Sequence, residues 1–301
     1  MKKNIYLIIT LMFLLPISSM GQIKGTSEDG LISWTLSDDG TLTVTGQGEF
    51  SSPILGNIYR SHKEKFFSIN RIVIGSGITE ISGFDCDSEG DRVLKVTSIS
   101  LPNTLKKIGD RAFAGYKFLH TITIPASVDE ISSRAFYRWE CGGNELEEII
   151  VDNNNTKYKS INGILYDYDV KTLICCPSSY KGEVNIPNTV ETIEEGAFHI
   201  CLELTNVKFP DNLKIIKNSA FAFCIKLTNV TLPDNLRAIK ERAFWGCSGL
   251  TSITIPNSVT EFDPRAFSGC ENLAKACVPE NWEIVEDEPL FPENCTIIRH
   301  Q

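Results

Sequence analysis

Histidine is scarce. His62, His120, His199 and His300 are the only four in 301 residues. None sits in H-E-x-x-H or another ligand spacing, so no zinc-protease type of centre is expected. His199 follows Phe198 at a position that varies along the chain, and it reads as a surface residue. No G-x-S-x-G, Walker A or full G-x-G-x-x-G sequence occurs, which removes the signatures of esterases, phosphate-binding loops and dinucleotide folds. "GQG" at 46–48 and "GSG" at 75–77 read as turns. Acidic pairs such as Glu194-Glu195 and Asp167/Asp169 carry no positioning information; acid–base chemistry needs two carboxylates held across a cleft. Positive charge is also short. The formal net charge is −9, so no electrostatic attraction for DNA, RNA or anionic lipid is expected.

Long apolar runs are missing beyond the start of the chain. Lys2 and Lys3 precede the run Ile5 to Leu15, followed by Pro16 and the small residues Ser18 and Ser19. That order is the one of a secretory signal, and the run falls short of the ~20 residues a membrane helix needs. Residues 1–21 are therefore expected to be removed on export, with Gln22 first in the mature chain. No cysteine lies near that cut to carry a lipid. No cofactor and no membrane span are expected.

Ten cysteines in an exported chain suggest disulfides. Four of them, Cys201, Cys224, Cys247 and Cys270, instead recur every 23 residues. That regularity reads as a column of buried thiols, since cysteine packs as a small hydrophobe. Cys175-Cys176 lie adjacent in an expected strand and so point to opposite faces, one buried and one exposed. Cys277 and Cys295 flank the C-terminal end and form a candidate pair.

The same period governs the rest of the chain. Prolines at 187, 210, 233, 256 and 279 are 23 apart, as are Pro102 and Pro125. Ala-Phe pairs recur at 112–113, 135–136, 197–198, 220–221, 243–244 and 266–267. A fixed period of this size marks stacked coils. Within one unit, "LTNVTLP" alternates apolar with polar residues and reads as a strand, ended by a proline that lacks the ladder N–H. A second short segment, "LRAI", leads to a compact turn holding the Ala-Phe pair. One coil cannot bury its own apolar face; stacked coils bury it continuously. Skeleton residues touch their own copies and must match, while the residues between them face water and vary.

The frame L-x-x-I-x-I-P…I…A-F…C resembles the BspA-like leucine-rich repeat family, over about residues 71–280. Proline stands where commoner leucine-rich repeats carry an asparagine ladder. The fold this implies is a predominantly β, α/β-type repeat solenoid: a right-handed coil of 23-residue units, with a parallel strand face and short or helical turns opposite. Eight or nine coils ~4.8 Å apart give a rod roughly 40 Å long. The resemblance also implies an exported or surface-exposed protein that binds a protein ligand, such as one on another cell.

Two regions break the period. "NNNTKYKSINGILYDYDVKTLICCP" inserts extra residues between Pro125 and Pro187, read as two strands, "INGILY" and "TLICCP", around Asp167 to Lys171, hence a hairpin at about 152–182. Residues 22–70 carry an Asp39-Gly40 hairpin signal and are expected to cap the first coil. Residues 281–301 are expected to cap the last.

Strand parity places Ser98, Ser100, Thr121, Thr123, Glu148, Asn206, Lys208, Asn229, Thr231, Ser252 and Thr254 outward, as a broad polar platform. Ile150, Glu183 and Asn185 share it. The platform lacks the Trp, Tyr and Arg that usually anchor interfaces, and β-propensity with solubility explains each residue equally well. Tyr137, Phe223 and Trp245, just after Ala-Phe pairs, form a candidate apolar edge. Asp85, Asp87 and Glu89 in "DCDSEGD" resemble the first half of a calcium loop, but Val96 stands where the bidentate Glu belongs, so a solvated acidic loop is the favoured reading and no metal is expected. A non-enzymatic binding protein is the leading expectation. A self-associating envelope component, or a hydrolase with a site outside the repeats, are the alternatives.

Overall fold

The computed structural model describes residues 21–83, 94–137, 145–280, 282 and 290–300. Residues 1–20, expected to belong to a secretory segment, the acidic loop at Asp85, Asp87 and Glu89, and residues 281, 283–289 and 301 of the expected C-terminal cap lie outside them. The chain winds into a β-solenoid of about 9 turns. Among the described residues no helix is long and apolar enough to cross a membrane.

Each coil has three sides, tied to the next coil by backbone hydrogen bonds except where the strand face breaks, as between Ser98–Ser100 and Thr121–Ile124 and between Asn229–Val230 and Ser252–Thr254. The first side is the strand face, with parallel pairs such as Leu204–Lys208 on Gly182–Asn185 and Lys275–Pro279 on Ser252–Thr254. The second is a file of short parallel strands: Thr172–Cys175, Thr192–Ile193, Ile215–Ile216, Ala238–Ile239 and Glu261–Phe262. The third is the turn that holds Ala-Phe. There Phe198, Phe221 and Phe244 donate their N–H to Ala220, Ala243 and Ala266 of the following coil, at 2.7, 2.7 and 2.8 Å. The corner prolines lack an N–H, but the carbonyls of Pro187, Pro210 and Pro233 accept from Val190, Leu213 and Leu236 and close tight turns.

The rings of Phe198, Phe221, Phe244 and Phe267 stack in single file, with centroids 4.6, 5.1 and 5.1 Å apart and planes within 11° of parallel. All four are fully buried. Beside them runs the thiol column. Cys224, Cys247 and Cys270 donate to the carbonyls of Phe198, Phe221 and Phe244 at 3.1, 3.0 and 3.1 Å. Each carbonyl also accepts from a backbone N–H, so the thiol fills its second lone pair. Burial raises the Cys224 and Cys270 thiols above their ordinary range and keeps them protonated. All the described cysteines are free, including Cys277 and Cys295; Cys277 lies opposite Ile298, not Cys295. Among the described cysteines, iodoacetamide on the native protein is expected to label the half-buried Cys277 and Cys295 and to spare Cys201, Cys224, Cys247 and Cys270 until denaturant is added, read by peptide mass spectrometry.

The inserted segment departs from its sequence reading. "INGILY" is not one strand. It turns at Asn162 and Gly163, both left-handed (φ 52 and 78), to make an antiparallel pair of Tyr158–Ile161 with Ile164–Asp167. Asn-Gly is itself a hairpin turn signal, so the break falls where the backbone can most easily adopt positive φ. Ile164–Asp167 then pairs antiparallel with Thr172–Cys175, which rejoins the solenoid. Cys175 and Cys176 are both buried, against the expectation of one exposed thiol. The strand does alternate, but core lies on each side of it. Leu165, Ile174 and Cys175 pack into the N-terminal core, while Ile164, Tyr166, Leu173 and Cys176 pack into the C-terminal one.

At the other end, Ile32–Leu36 and Thr41–Gly46 form the Asp-Gly hairpin, with Gly40 at φ 81. Thr41–Gly46 pairs parallel with Arg71–Ile74 and so continues the strand face. The sequence reading contained no helix here, yet Ser52–Ser61 is one, opened by Pro53 and burying Ile54, Leu55 and Ile58.

Charged residues also stack by coil. Lys214–Glu191, Lys217–Glu194 and Lys226–Glu203 pair at 2.5, 2.5 and 2.7 Å, each across neighbouring coils. Exposed pairs of this kind contribute ~0–1 kcal/mol each and help hold register more than stability.

Candidate functional site

Ladder geometry turns alternate residues of each face strand outward. Ser98, Ser100, Thr121, Thr123, Glu148, Lys208, Thr231, Ser252 and Thr254 are exposed, and Asn206 is half-buried. The side chain of Asn229 lies outside what is described; its backbone pairs with Asn206.

These residues do not form one unbroken platform. Parallel pairing brings Thr121 beside Glu148 and Thr123 beside Ile150 in one panel. A second panel joins Gly182–Asn185, Leu204–Lys208 and Asn229–Val230. A third joins Ser252–Thr254, Lys275–Pro279 and Thr296–His300. Ser98 and Ser100 belong to the N-terminal sheet. Between the first two panels lies the inserted hairpin, where Gly163 accepts from Ile149 N–H at 3.0 Å.

The second panel carries charge. Glu183 accepts from Lys208 Nζ and from Asn206 Nδ2, both at 2.7 Å. The Lys208 bond, then the Asn206 bond, hold the Glu183 carboxyl below its usual range. Ile150 adds an exposed apolar side chain to the first panel.

The aromatic residues just after Ala-Phe pairs form a continuous file, and His199, which the sequence places at the surface, sits inside it. His199 is 8 % exposed and stacks on Tyr137 at 4.2 Å and 22°. Phe223 meets the imidazole edge-on at 6.1 Å and packs on Trp245 at 4.7 Å. Tyr137 lies sixty-two positions upstream of His199 because the insertion intervenes, so the 23-residue period could not show the contact. The file is packed between coils. Tyr137 is buried, Phe223 and Trp245 are half-buried.

Burial pushes the His199 imidazole down to about 4. Among the described residues its Nδ1 is buried without a hydrogen-bond partner. A base held neutral in the fold takes up a proton more readily when unfolded. The full stability is therefore present above about pH 6.5 and is lost as pH falls toward 4, by at most ~3 kcal/mol. His199→Phe is expected to flatten the decline in urea midpoint between pH 7 and pH 4.5. An equal decline in both proteins would contradict the assignment.

Among the described residues no group of three or more His, Cys, Asp and Glu side chains is placed to hold a metal ion. What the molecule offers is surface, carried by a period that is matched elsewhere. Residues 91–163 and 175–298 match the BspA type leucine rich repeat region in six copies. The chain belongs to the BspA-type leucine-rich repeat family. In structure it is similar to the pneumococcal vaccine antigen PcpA, with TM-score 0.62 and 24 % identity over 70 % of this chain and 51 % of that one. It thus spans about half of that antigen's structure. It is also similar to a leucine rich cell surface protein from Faecalibacterium prausnitzii, with TM-score 0.61 and 22 % identity over 92 % of this chain and 94 % of the other. At these identities the likeness is one of fold. No protein of curated function matches the chain in sequence.

Proposed function

We propose that this BspA-type repeat protein is a non-enzymatic, exported or surface-associated protein that presents its strand face to a protein ligand, as on a neighbouring cell. The observation that carries this reading is the outward row itself. Backbone ladders fix its side chains at regular spacing on a scaffold whose stability does not depend on them. The first panel supplies an exposed isoleucine, Ile150, among Thr121, Thr123 and Glu148; the second supplies the Glu183–Lys208 pair. A surface of this kind recognises protein by shape and hydrogen bonding, with a small apolar contribution. Strand-rich repeat proteins of similar fold are known as a cell surface protein and a vaccine antigen.

A second reading has one observation in its favour. Thr296–His300 lies at the edge of its sheet, with Ile297 and Ile298 each about two-fifths exposed (38 % and 41 %). An edge strand with apolar side chains is a template for pairing with another copy, as an envelope component that self-associates would require.

The test uses a variant altered on the first two panels, Thr121→Lys, Thr123→Glu, Ile150→Lys and Lys208→Gln, in which the new charges at 121 and at 123 and 150 face opposite charges across the ladder. These exposed changes are expected to leave the urea midpoint within ~1 kcal/mol of the parent. Surface proteins captured by the immobilised parent from intact cells are expected to be lost by the variant. Undiminished capture would move the site off the strand face, and concentration-dependent light scattering without capture would favour self-association.

A further inference from the structure

We propose that Gln22, made the first residue by a cut after Gly21, closes to pyroglutamate, and that its new lactam carbonyl accepts the hydrogen bond that Lys65 gives to Gly21 in the uncut chain. The inference rests on the export reading and on that cut.

The terminus so made is held in place. Ile23–Thr26 is the edge strand of the N-terminal sheet, paired antiparallel with Ile32–Leu36, and Ile23 stands opposite Leu36. Continued past Ile23, that register sets Gly21 beside Asp38. Lys65 closes over the same point. Its side chain is 10 % exposed, and Nζ donates to Asp38 Oδ1 at 2.8 Å and to the Gly21 carbonyl. Its backbone is fixed as well, because the Lys65 carbonyl accepts from Ser68 N–H and Oγ at 3.0 and 2.7 Å. A buried ammonium is costly unless it is paired and hydrogen-bonded, so the oxygen at this position matters.

The cut takes the Gly21 carbonyl away and turns the Gln22 amide into an α-ammonium. Both belong to one peptide unit, in which oxygen and nitrogen are about 2.3 Å apart. The new cation therefore appears beside Lys65, and the two share the Asp38 carboxylate. A like charge at this range favours the neutral amine. The neutral amine is the nucleophile for its own side chain. Its nitrogen attacks Cδ, the N–Cδ bond forms, the Cδ–Nε2 bond breaks, and the amine proton leaves with Nε2 as ammonia. Both groups belong to one residue and the lactam ring is unstrained, so no oxidant or second substrate enters. Gln22 is exposed, and the ammonia departs to solvent. The product has no charge to repel Lys65. Its carbonyl carbon is bonded to the same nitrogen as that of Gly21 was, which returns an acceptor to the ammonium. A cut one residue to either side would leave Gly21 or Ile23 first, and neither can close such a ring.

To test this, the full chain, leader included, is exported from a bacterial host, and the mature protein is kept at neutral pH until its mass is constant. The expected mass is that of residues 22–301 less one ammonia, with no residue released by Edman degradation until pyroglutamyl aminopeptidase has acted on the denatured chain. The Lys65 contact is read separately. The cyclised parent is expected to have a urea midpoint about 0.3–1 M above that of Gln22→Ala, whose terminus stays charged. In a Lys65→Met background that gap is expected to vanish. The Asp38 side chain is 52 % exposed, so Asp38→Asn keeps the fold; it removes the carboxylate that the two cations share and is expected to widen the gap. A mature chain that starts at Gln22 and keeps its side-chain amide would overturn the proposal and leave export standing. A first residue other than Gln22 would do the same. A gap that persists in Lys65→Met, or that does not widen in Asp38→Asn, would also overturn it, since the lactam would then have no tie to the ammonium. A chain retained inside the cell with its leader intact would sink the export reading and this inference with it.

Discussion

Phe221→Ala is expected to cost ~3–5 kcal/mol of folding stability. Phe221 is fully buried and lies between two copies of itself, Phe198 at 4.6 Å and Phe244 at 5.1 Å, with Phe209 edge-on at 5.6 Å. Removing the ring takes away its transfer free energy and leaves a void. The void cannot close, because the backbone on either side is pinned by Phe198 N–H to Ala220 and Phe221 N–H to Ala243. In a stacked-coil protein the loss falls on two coil interfaces at once. Urea unfolding followed by circular dichroism measures it. A midpoint equal to the parent would mean the ring is not buried between its neighbours.

Asn155→Leu is expected to be comparably damaging, at ~3–5 kcal/mol, although it conserves volume and adds apolar surface. Asn155 is 2 % exposed, and its amide makes four bonds. Nδ2 donates to the carbonyls of Pro125 and Val128 at 2.9 and 3.1 Å, and Oδ1 accepts from the N–H of Lys157 and Tyr158, both at 2.8 Å. Leucine takes the partner from the Val128 carbonyl and from the N–H groups of Lys157 and Tyr158, while the Pro125 carbonyl keeps the Val128 N–H; each unsatisfied group costs ~1–3 kcal/mol, partly relieved by relaxation. The contacts tie the inserted unit to the coil that begins at Pro125. Asn155→Asp is expected to lose stability as well, since a carboxylate cannot donate to either carbonyl. Urea midpoints of the parent and both variants decide this, and an Asn155→Leu variant as stable as the parent would show that the amide is dispensable.

The stacked-coil architecture was legible because its cause is periodic. Phe198, Phe221, Phe244 and Phe267 are each other's neighbours, so a spacing in sequence is a contact in space. The same logic found the thiol column, though not its partners: the acceptor carbonyl of Cys224 belongs to Phe198, and backbone groups leave no trace in a side-chain pattern. Legibility ended where the period did. Asn155 stands in the inserted unit, where "NNNT" offers three asparagines and nothing to say which one turns inward. His199 reads as solvent-facing because its slot varies, and its stacking partner Tyr137 lies across the same insertion. For Cys175 and Cys176 the alternation itself is correct. What it cannot show is the surroundings, since that strand has a core on both sides.

The candidate face was legible only in part. The residues that parity places outward are exposed wherever their side chains are described, except Asn206, which is half-buried. Parity did not reveal that the face is divided into panels. Whether two coils pair depends on small departures in backbone path, and Thr231 and Leu232 carry the same residue types as their paired counterparts. Sequence pattern fixes which way a side chain points more firmly than it fixes whether the next strand closes against it.

A double-mutant cycle on the phenylalanine file tests column packing most directly. Phe221→Leu and Phe244→Leu, alone and together, compare with Phe221→Leu and Phe113→Leu, whose rings belong to separate stacks. Direct stacking predicts a coupling of ~0.5–1.5 kcal/mol between residues 221 and 244, and additivity within ~0.5 kcal/mol for 221 and 113. Additive effects in the first pair, or equal coupling in both, would contradict a single file of rings running from coil to coil.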